Sequence, residues 1–433
     1  MRWTILVSAV CLCQQMSTTT EFIEQLVGPD NGQKLRVGGV DVQGPAAEST
    51  SVRVLHEQIK VLLTANDTPT LATACEQVQR NLQFLGIFRD VQIGLSGNRD
   101  SIIPTIHLNP LKRFTVSTGT NVGNGEGYGY IRGTTRNYFG LGETLDLDLH
   151  LGTRTKRSNL LTLSVPAAAL RIPSVWKVEA LAYESTKSID WAYHKQKILG
   201  STLRVASPLH SIGFDVVLRT LMSSSDKTLQ SPTFCTQAGS SLKLGAFFNT
   251  CVDTRNNQFL PTTGRLVRWS SEISAGDYPI VKTGLDLQQG LSFSRWFSAT
   301  VTARLGYLLP LTAKGSHLMD RYYLGGPQDL RAFTLNSAGP HESGLSVGGH
   351  SLAALGVSLF SRIPRAPETL KGHLFCNAGA LDDIWRPRLS AGFGVTYNVA
   401  VARLELNVAM PLVAHSSDRT SKGLQFGIGL SYL

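Results

Sequence analysis

The chain has 433 residues, 42% of them hydrophobic, a mean hydropathy of −0.01, a formal net charge of +10 and a pI near 9.4. Its apolar content is too high for a disordered chain, and no apolar run approaches the roughly 18 residues that a membrane-spanning helix needs. The positive charge is not gathered into a basic run with interleaved aromatics, so nucleic acid is not expected as a partner; anionic lipid heads at a rim, or a cationic lumen, use it more economically.

At the N-terminus, Arg2 precedes an apolar stretch from Trp3 to Leu12. That pattern fits a short signal peptide or an uncleaved apolar arm, and residues 1–33 are set apart on that ground. The cysteines at 11, 13, 75, 235, 251 and 376 show no paired metal spacing. They read as free thiols, with no metal site and no cofactor expected.

Residues 34–110 carry a different rhythm. A short strand is expected over Leu35 to Val42, ending at Gly44-Pro45. Val52, Leu55, Ile59, Leu62 and Leu63 then fall at helical spacing. A second helix is expected with Thr68 as N-cap and Pro69 at the first helical position. Leu71, Ala74, Cys75, Val78, Leu82 and Leu85 form its buried stripe, and Gly86 supplies a left-handed end. Two strands are expected near Asp90 to Leu95 and Ile102 to Leu108. The sum is one small α+β domain in the order strand, helix, helix, strand, strand.

From residue 111 to the end the period is two. Leu145, Leu147, Leu149 and Leu151 alternate with Asp146, Asp148 and His150. Val301, Ala303, Leu305 and Tyr307 oppose Thr302, Arg304 and Gly306, and Leu404, Leu406 and Val408 oppose Arg403, Glu405 and Asn407. Alternation over many successive strands, without accompanying helices, predicts an all-β transmembrane barrel of about sixteen antiparallel strands, apolar side to lipid and polar side to lumen. The last stretch repeats the pattern: Leu424, Phe426, Ile428, Leu430 and Tyr432 on one face, Gln425, Gly427, Gly429 and Ser431 on the other. Closure would pair Lys112–Thr120 with Gly423–Tyr432. Gly123, Gly125, Gly127 and Gly129 have no strand–loop–helix context for phosphate and read as the turn between the first two barrel strands. Gly349-His350-Ser351-Leu352-Ala353 comes near a hydrolase elbow, but its last position is Ala and it lies in a strand candidate. No enzyme is expected.

Several segments carry resemblances. Leu82 to Val91, with Gly86 and Phe88 in a "G-x-F" arrangement, resembles a polypeptide-transport-associated (POTRA) domain, a module that offers a sheet edge to extended chains. Arg321 to Phe333 resembles the long loop of the barrel-assembly superfamily, the bacterial surface antigen family. Gly325, Gly326, Arg331 and Phe333 match its signature, and Ala332 stands where a glycine is usual. The resemblance implies that this loop folds into the lumen and that Arg331 meets the inner wall at Phe375, Asn377 and Gly379. Asn377 is neutral and cannot balance a buried cation, so Asp382 or Asp383 is expected to supply the missing charge. Asp253-Thr254-Arg255 with Pro261 and Gly264 resembles a strand–turn–strand of the same family. Gln425, Gly427, Leu430 and Tyr432 resemble the polar-x-Gly-x-x-apolar-x-apolar signal of barrel precursors.

A single POTRA domain and a basic pI are similar to the mitochondrial branch of that family, the sorting and assembly machinery. The resemblance implies a mitochondrial outer-membrane insertase, with its POTRA domain in the intermembrane space and partners among β-barrel precursors, lipids and accessory subunits of the machinery. Opening between the first and last strands would expose unpaired backbone that an incoming strand can satisfy. The alternative is a polypeptide-translocating or porin-like channel.

Overall fold

The computed structural model describes residues 6–7, 36–98, 101–123, 126–226, 228–399 and 402–429. The arm expected over residues 1–33 lies outside them, except that Leu6 and Val7 pair antiparallel with Gly94 and Ile93.

The first unit is a small α+β layer. Strand β1 (Asp41–Gln43) is shorter than expected and is followed at once by a helix that the periodicity did not predict, α1 (Pro45–Ser49). Helix α2 (Val52–Ile59) continues as a 3-10 turn and leads to α3 (Thr68–Leu85). The cap of α3 is Asp67, not Thr68. The Asp67 carboxylate accepts from the Thr70 backbone N–H at 2.8 Å and the Thr70 hydroxyl reaches back, a reciprocal capping box that Thr68 cannot form one residue later. Gly86 ends the helix at φ 73°, a left-handed value that costs glycine nothing. Strands β2 (Phe88–Asn98) and β3 (Ser101–Pro110) pair antiparallel, and β1 joins β3 in parallel. Leu71, Val78, Leu82 and Leu85 are fully buried beneath that sheet with Ile106 and Leu108. Cys75 lies among them; burial raises its thiol pKa to about 12, so it is an inert part of the core.

Sixteen strands follow, each antiparallel to its neighbours in chain order. They are β4 (Phe114–Gly123), β5 (Glu126–Arg136), β6 (Thr144–Gly152), β7 (Thr155–Pro166), β8 (Lys177–Ile189), β9 (His194–Ala206), β10 (His210–Ser223), β11 (Gly239–Asp253), β12 (Arg265–Gly276), β13 (Ile280–Ser292), β14 (Phe297–Pro310), β15 (Ser351–Arg362), β16 (Leu370–Leu381), β17 (Arg388–Val399), β18 (Ala402–Val413) and β19 (Gly423–Gly429). The first begins and ends a little later than the expected Lys112–Thr120. Among the described residues no ladder joins β4 to β19, so the expected closing pair is not seen. Leu430 and Tyr432 lie outside the described residues.

The alternation decides the two faces. Leu145, Leu203, Phe214, Leu305, Phe393 and Leu406 are exposed on the outside, where lipid replaces water as their solvent. Ser164, Arg219, Lys243, Thr302, Asn377 and Glu405 are buried on the inside.

The α+β unit is docked on one rim of this sheet. The Ser51 N–H donates to the Gly140 carbonyl at 2.7 Å, and the Asn137 amide donates to Ser49 O and Thr50 Oγ1. Ala168, in the turn between β7 and β8, belongs to the unit's own core, and the Lys177 ammonium lies 4.4 Å from the Phe84 ring centre. Strand pairing then fixes the ends. The turns after β5, β7, β9, β11, β13, β15 and β17 share the rim with the α+β unit, and the long segment 311–350 enters from the opposite one.

Candidate functional site

Segment 311–350 threads the lumen, and a series of side chains ties it to the wall. Near its start the Asp320 carboxylate accepts from Arg219 Nη1 at 2.5 Å and from Lys243 Nζ at 2.9 Å, while Lys282 donates to the Asp320 carbonyl at 2.6 Å. Lys243 also pairs with Glu272. Burial pushes the Asp320 carboxyl up, but Lys243 and Arg219 outweigh it and hold the group below the usual carboxylate range. Tyr322 then lays its ring against Gly306, where a Cβ would come within 2.5 Å of the ring, and its hydroxyl donates to Thr283 O at 2.6 Å.

Gly325 and Gly326 take φ values of 117° and 128°, a region open to glycine alone, and turn the chain so that Asp329 accepts from the Gly325 N–H and pairs with Arg304. This places Arg331 at the centre. Its side chain is fully buried, with Nη1 donating to Asn377 Oδ1 at 3.0 Å and Nε and Nη2 donating to Glu405 at 2.9–3.2 Å. The Phe375 ring lies 4.6 Å from the guanidinium carbon. Gly379 is small for the loop's sake: a Cβ there would sit 2.7 Å from the Leu324 side chain. Phe375 and Asn377 therefore meet Arg331 itself, whereas Gly379 meets the loop at Leu324.

The neutralising charge is a correction. Asp382 and Asp383 are engaged elsewhere: Asp382 accepts from the His350 and Ser351 N–H groups at the start of β15, and Asp383 from that of Trp385 in its own turn. Glu405 on β18 carries the charge instead. It also pairs with Arg403 and accepts from Asn407 Nδ2 at 2.7 Å. The missed signal was the alternation itself, which put Glu405 on the polar face of a strand next to the last one.

The loop tip also holds the last strand. Ala332 is buried at φ 67°, its N–H donating to Gln425 Oε1 at 3.0 Å and its carbonyl accepting from Ser421 N at 2.9 Å. Phe333 bridges Thr420, and Thr334 N donates to Arg419 O. Gly427 is buried opposite Glu405 in the ladder of β18 and β19.

At the far rim α4 (Pro232–Gln237) and the loop make a cap. Glu342 accepts from Ser231 Oγ at 2.6 Å and from the N–H and hydroxyl of Thr233. At the near rim the segment 254–264 folds inward as a finger. Arg255 forks onto Asp253, and Asn256 Oδ1 accepts from Thr262 and Thr263. Gly264, at φ 84°, allows an approach to Thr254 O that a Cβ would bring to 2.1 Å. Arg403 donates to Phe259 O at 3.4 Å, so the finger meets the wall that bears Glu405.

Residues 137–432 match the Omp85 superfamily domain. The SAM50-like protein of Schizosaccharomyces pombe is 29% identical over 417 residues, 86% of this chain and 87% of that one. The sorting and assembly machinery component 50 homolog of Homo sapiens is 29% identical over 82% of each chain. The sorting assembly machinery 50 kDa subunit of Saccharomyces cerevisiae is 27% identical over 77% of each. In fold, the chain is similar to BamA from Haemophilus ducreyi lacking POTRA domains 1-3, with a TM-score of 0.70 at 15% identity, covering 98% of this chain and 89% of that one.

Proposed function

This chain belongs to the Omp85 superfamily, and from that premise we propose that it is the barrel-assembly subunit of a mitochondrial outer membrane, folding β-barrel precursors and inserting them into lipid. One observation carries the mechanism: a sixteen-stranded sheet whose end strands β4 and β19 share no ladder among the described residues. Unpaired N–H and C=O groups facing lipid cost several kcal/mol each, so such an edge takes up any strand that can satisfy it. A precursor's last strand is added there by main-chain hydrogen bonds, and each added hairpin presents a new edge. No nucleotide is consumed, because pairing and burial drive the reaction.

Three parts divide the work. The α+β unit, read as a POTRA domain in the intermembrane space, receives chains at its sheet edge on the rim where it is docked. The inward loop, anchored through Arg331 and Asp320, fills the lumen and steadies β19 through Ala332 and Gln425. The exposed apolar belt holds the sheet in lipid. Partners are β-barrel precursors and the accessory subunits of the machinery. A lumen crossed by two inward segments favours lateral release over passage through the bore.

The test is depletion of this protein, followed by import of a labelled mitochondrial barrel precursor analysed on native gels, with a helical outer-membrane protein as control. The barrel alone stalls, unassembled and protease-sensitive. Normal barrel assembly together with failed crossing of a soluble cargo would make the chain a conduit.

A further inference from the structure

At the rim shared with the α+β unit, below the Arg331 cluster, the lumen contains a cavity of about 730 Å³. The finger supplies Asn257, Gln258 and Thr262 to its wall, and the barrel supplies Arg362, Lys371 and Asn398. Charge is unbalanced here. Arg362 is paired with Glu368 at 2.9 Å, and Arg403 shares the single carboxylate of Glu405 with Arg331. Among the charged groups that line the cavity itself, Arg362 and Lys371 stand against Glu368 alone. The half-buried Lys371 ammonium has no hydrogen bond or ion pair among the described residues. The Asn398 Oδ1 atom on the adjacent strand is buried and likewise without a partner among them.

A partly desolvated cation with low-dielectric walls attracts a carboxylate more strongly than a surface lysine does. Side-chain amides can pair with both the N–H and the C=O of a main chain, and Asn398 keeps an acceptor open for an N–H. Loss of either partner would leave a buried polar group unsatisfied, which makes such a site selective for a ligand that supplies both.

We propose that this cavity is a docking site for an acidic, extended stretch of polypeptide, its carboxylate against Lys371 and its main-chain amides against Asn398 and Gln258. The site deepens the assembly reading, on which it rests in one respect: unfolded chains must arrive from the rim that bears the α+β unit. It adds a preference that strand addition lacks, since main-chain pairing is indifferent to side-chain charge.

The test uses the full chain in lipid nanodiscs and a fluorescein-labelled Gly/Ser peptide carrying Asp residues, with its Asp→Asn counterpart as control. Anisotropy is expected to show binding of the Asp peptide alone. Affinity should fall about tenfold in Lys371→Gln and persist in Lys371→Arg, as loss of one charge-assisted contact requires. Carbodiimide treatment should join Lys371 Nζ to a peptide carboxylate through an amide, read by mass spectrometry and absent in Lys371→Arg. Equal affinity for the two peptides, unchanged affinity in Lys371→Gln, or cross-links confined to exterior lysines would each overturn the assignment. Displacement by inorganic phosphate without preference for the Asp peptide would reduce it to a simple anion site. None of these measurements requires barrel assembly, so their failure leaves the depletion experiment to be judged separately.

Discussion

Glu405 neutralises two guanidinium groups, and that makes the lumenal cluster more sensitive to its loss than to the loss of either arginine. Replacing Arg331 with Ala leaves Glu405 still paired with Arg403, whereas Glu405→Gln leaves two cations facing each other in a buried site. The expected cost is about 2–3 kcal/mol for Arg331→Ala and at least about 4 kcal/mol for Glu405→Gln. Thermal unfolding of the purified barrel in detergent checks the order, and the double variant should be less damaged than the sum of the two. Arg331→Lys should not restore stability fully, because one ammonium cannot bridge Asn377 and both Glu405 oxygens. Ala332 makes a different point. Its left-handed backbone tolerates Ala at modest cost, but a β-branched side chain there is a true outlier, so Ala332→Val should lower stability by about 2 kcal/mol and slow precursor release.

Elements are held by what lies at their ends. The inward loop has two anchors on opposite walls, Asp320 on β10 and β11, and Arg331 on β16 and β18. Asp320→Asn removes the charge that Arg219 and Lys243 share, and segment 311–350 should become cleavable by added protease while the strands stay intact. The cap at Glu342 adds a pH dependence. Burial raises its carboxyl, yet the Ser231 and Thr233 hydrogen bonds prevail and hold it below the ordinary value of 4.5. A carboxyl lowered on folding stabilises fully above that ordinary value and loses its contribution as pH falls through the folded one. Cap protection measured by hydrogen exchange should therefore be flat near neutrality and fall only in acid. In the finger, Gly264→Ala meets Thr254 O at 2.1 Å and should be disruptive, whereas Gly133→Ala, with open space around it, should be near neutral.

For the whole molecule, the docked α+β unit matters most. Asn137 takes a left-handed φ of 47°; its side-chain Nδ2 donates to Ser49 O and Thr50 Oγ1 while its side-chain Oδ1 accepts from the Gly142 N–H. Asn137→Ala removes these bonds at a cost of about 1–2 kcal/mol and leaves buried groups unpaired. Trypsin cleavage at the connecting Lys112 and Arg113 should then accelerate, with the barrel itself unchanged. That outcome would show the unit to be a braced platform, not a tethered bead. It bears on function because the same rim holds the finger and the cationic cavity.

Period and turn chemistry made much of this legible from the chain alone. A repeat of two residues states which side chains face lipid and which face the lumen, since a strand leaves no other choice. Helix stripes placed α2 and α3 to within a few residues, and Gly86 ended α3 for the reason its type suggests. The glycines at 325 and 326 and the arginine at 331 stand out through their resemblance to the family's long-loop signature, which is what implies an inward loop. What the chain could not state was who meets whom across the lumen. Glu405 lies far along the sequence from Arg331, and sequence alone points instead to Asp382 or Asp383 beside Asn377, whose carboxylates accept from His350, Ser351 and Trp385 N–H groups. The finger at 254–264, the Asp320 anchor and the hold of Gln425 on Ala332 are likewise contacts between distant segments. Local pattern fixes a residue's face and its turn; only the curvature of the assembled sheet brings opposite walls within hydrogen-bond reach.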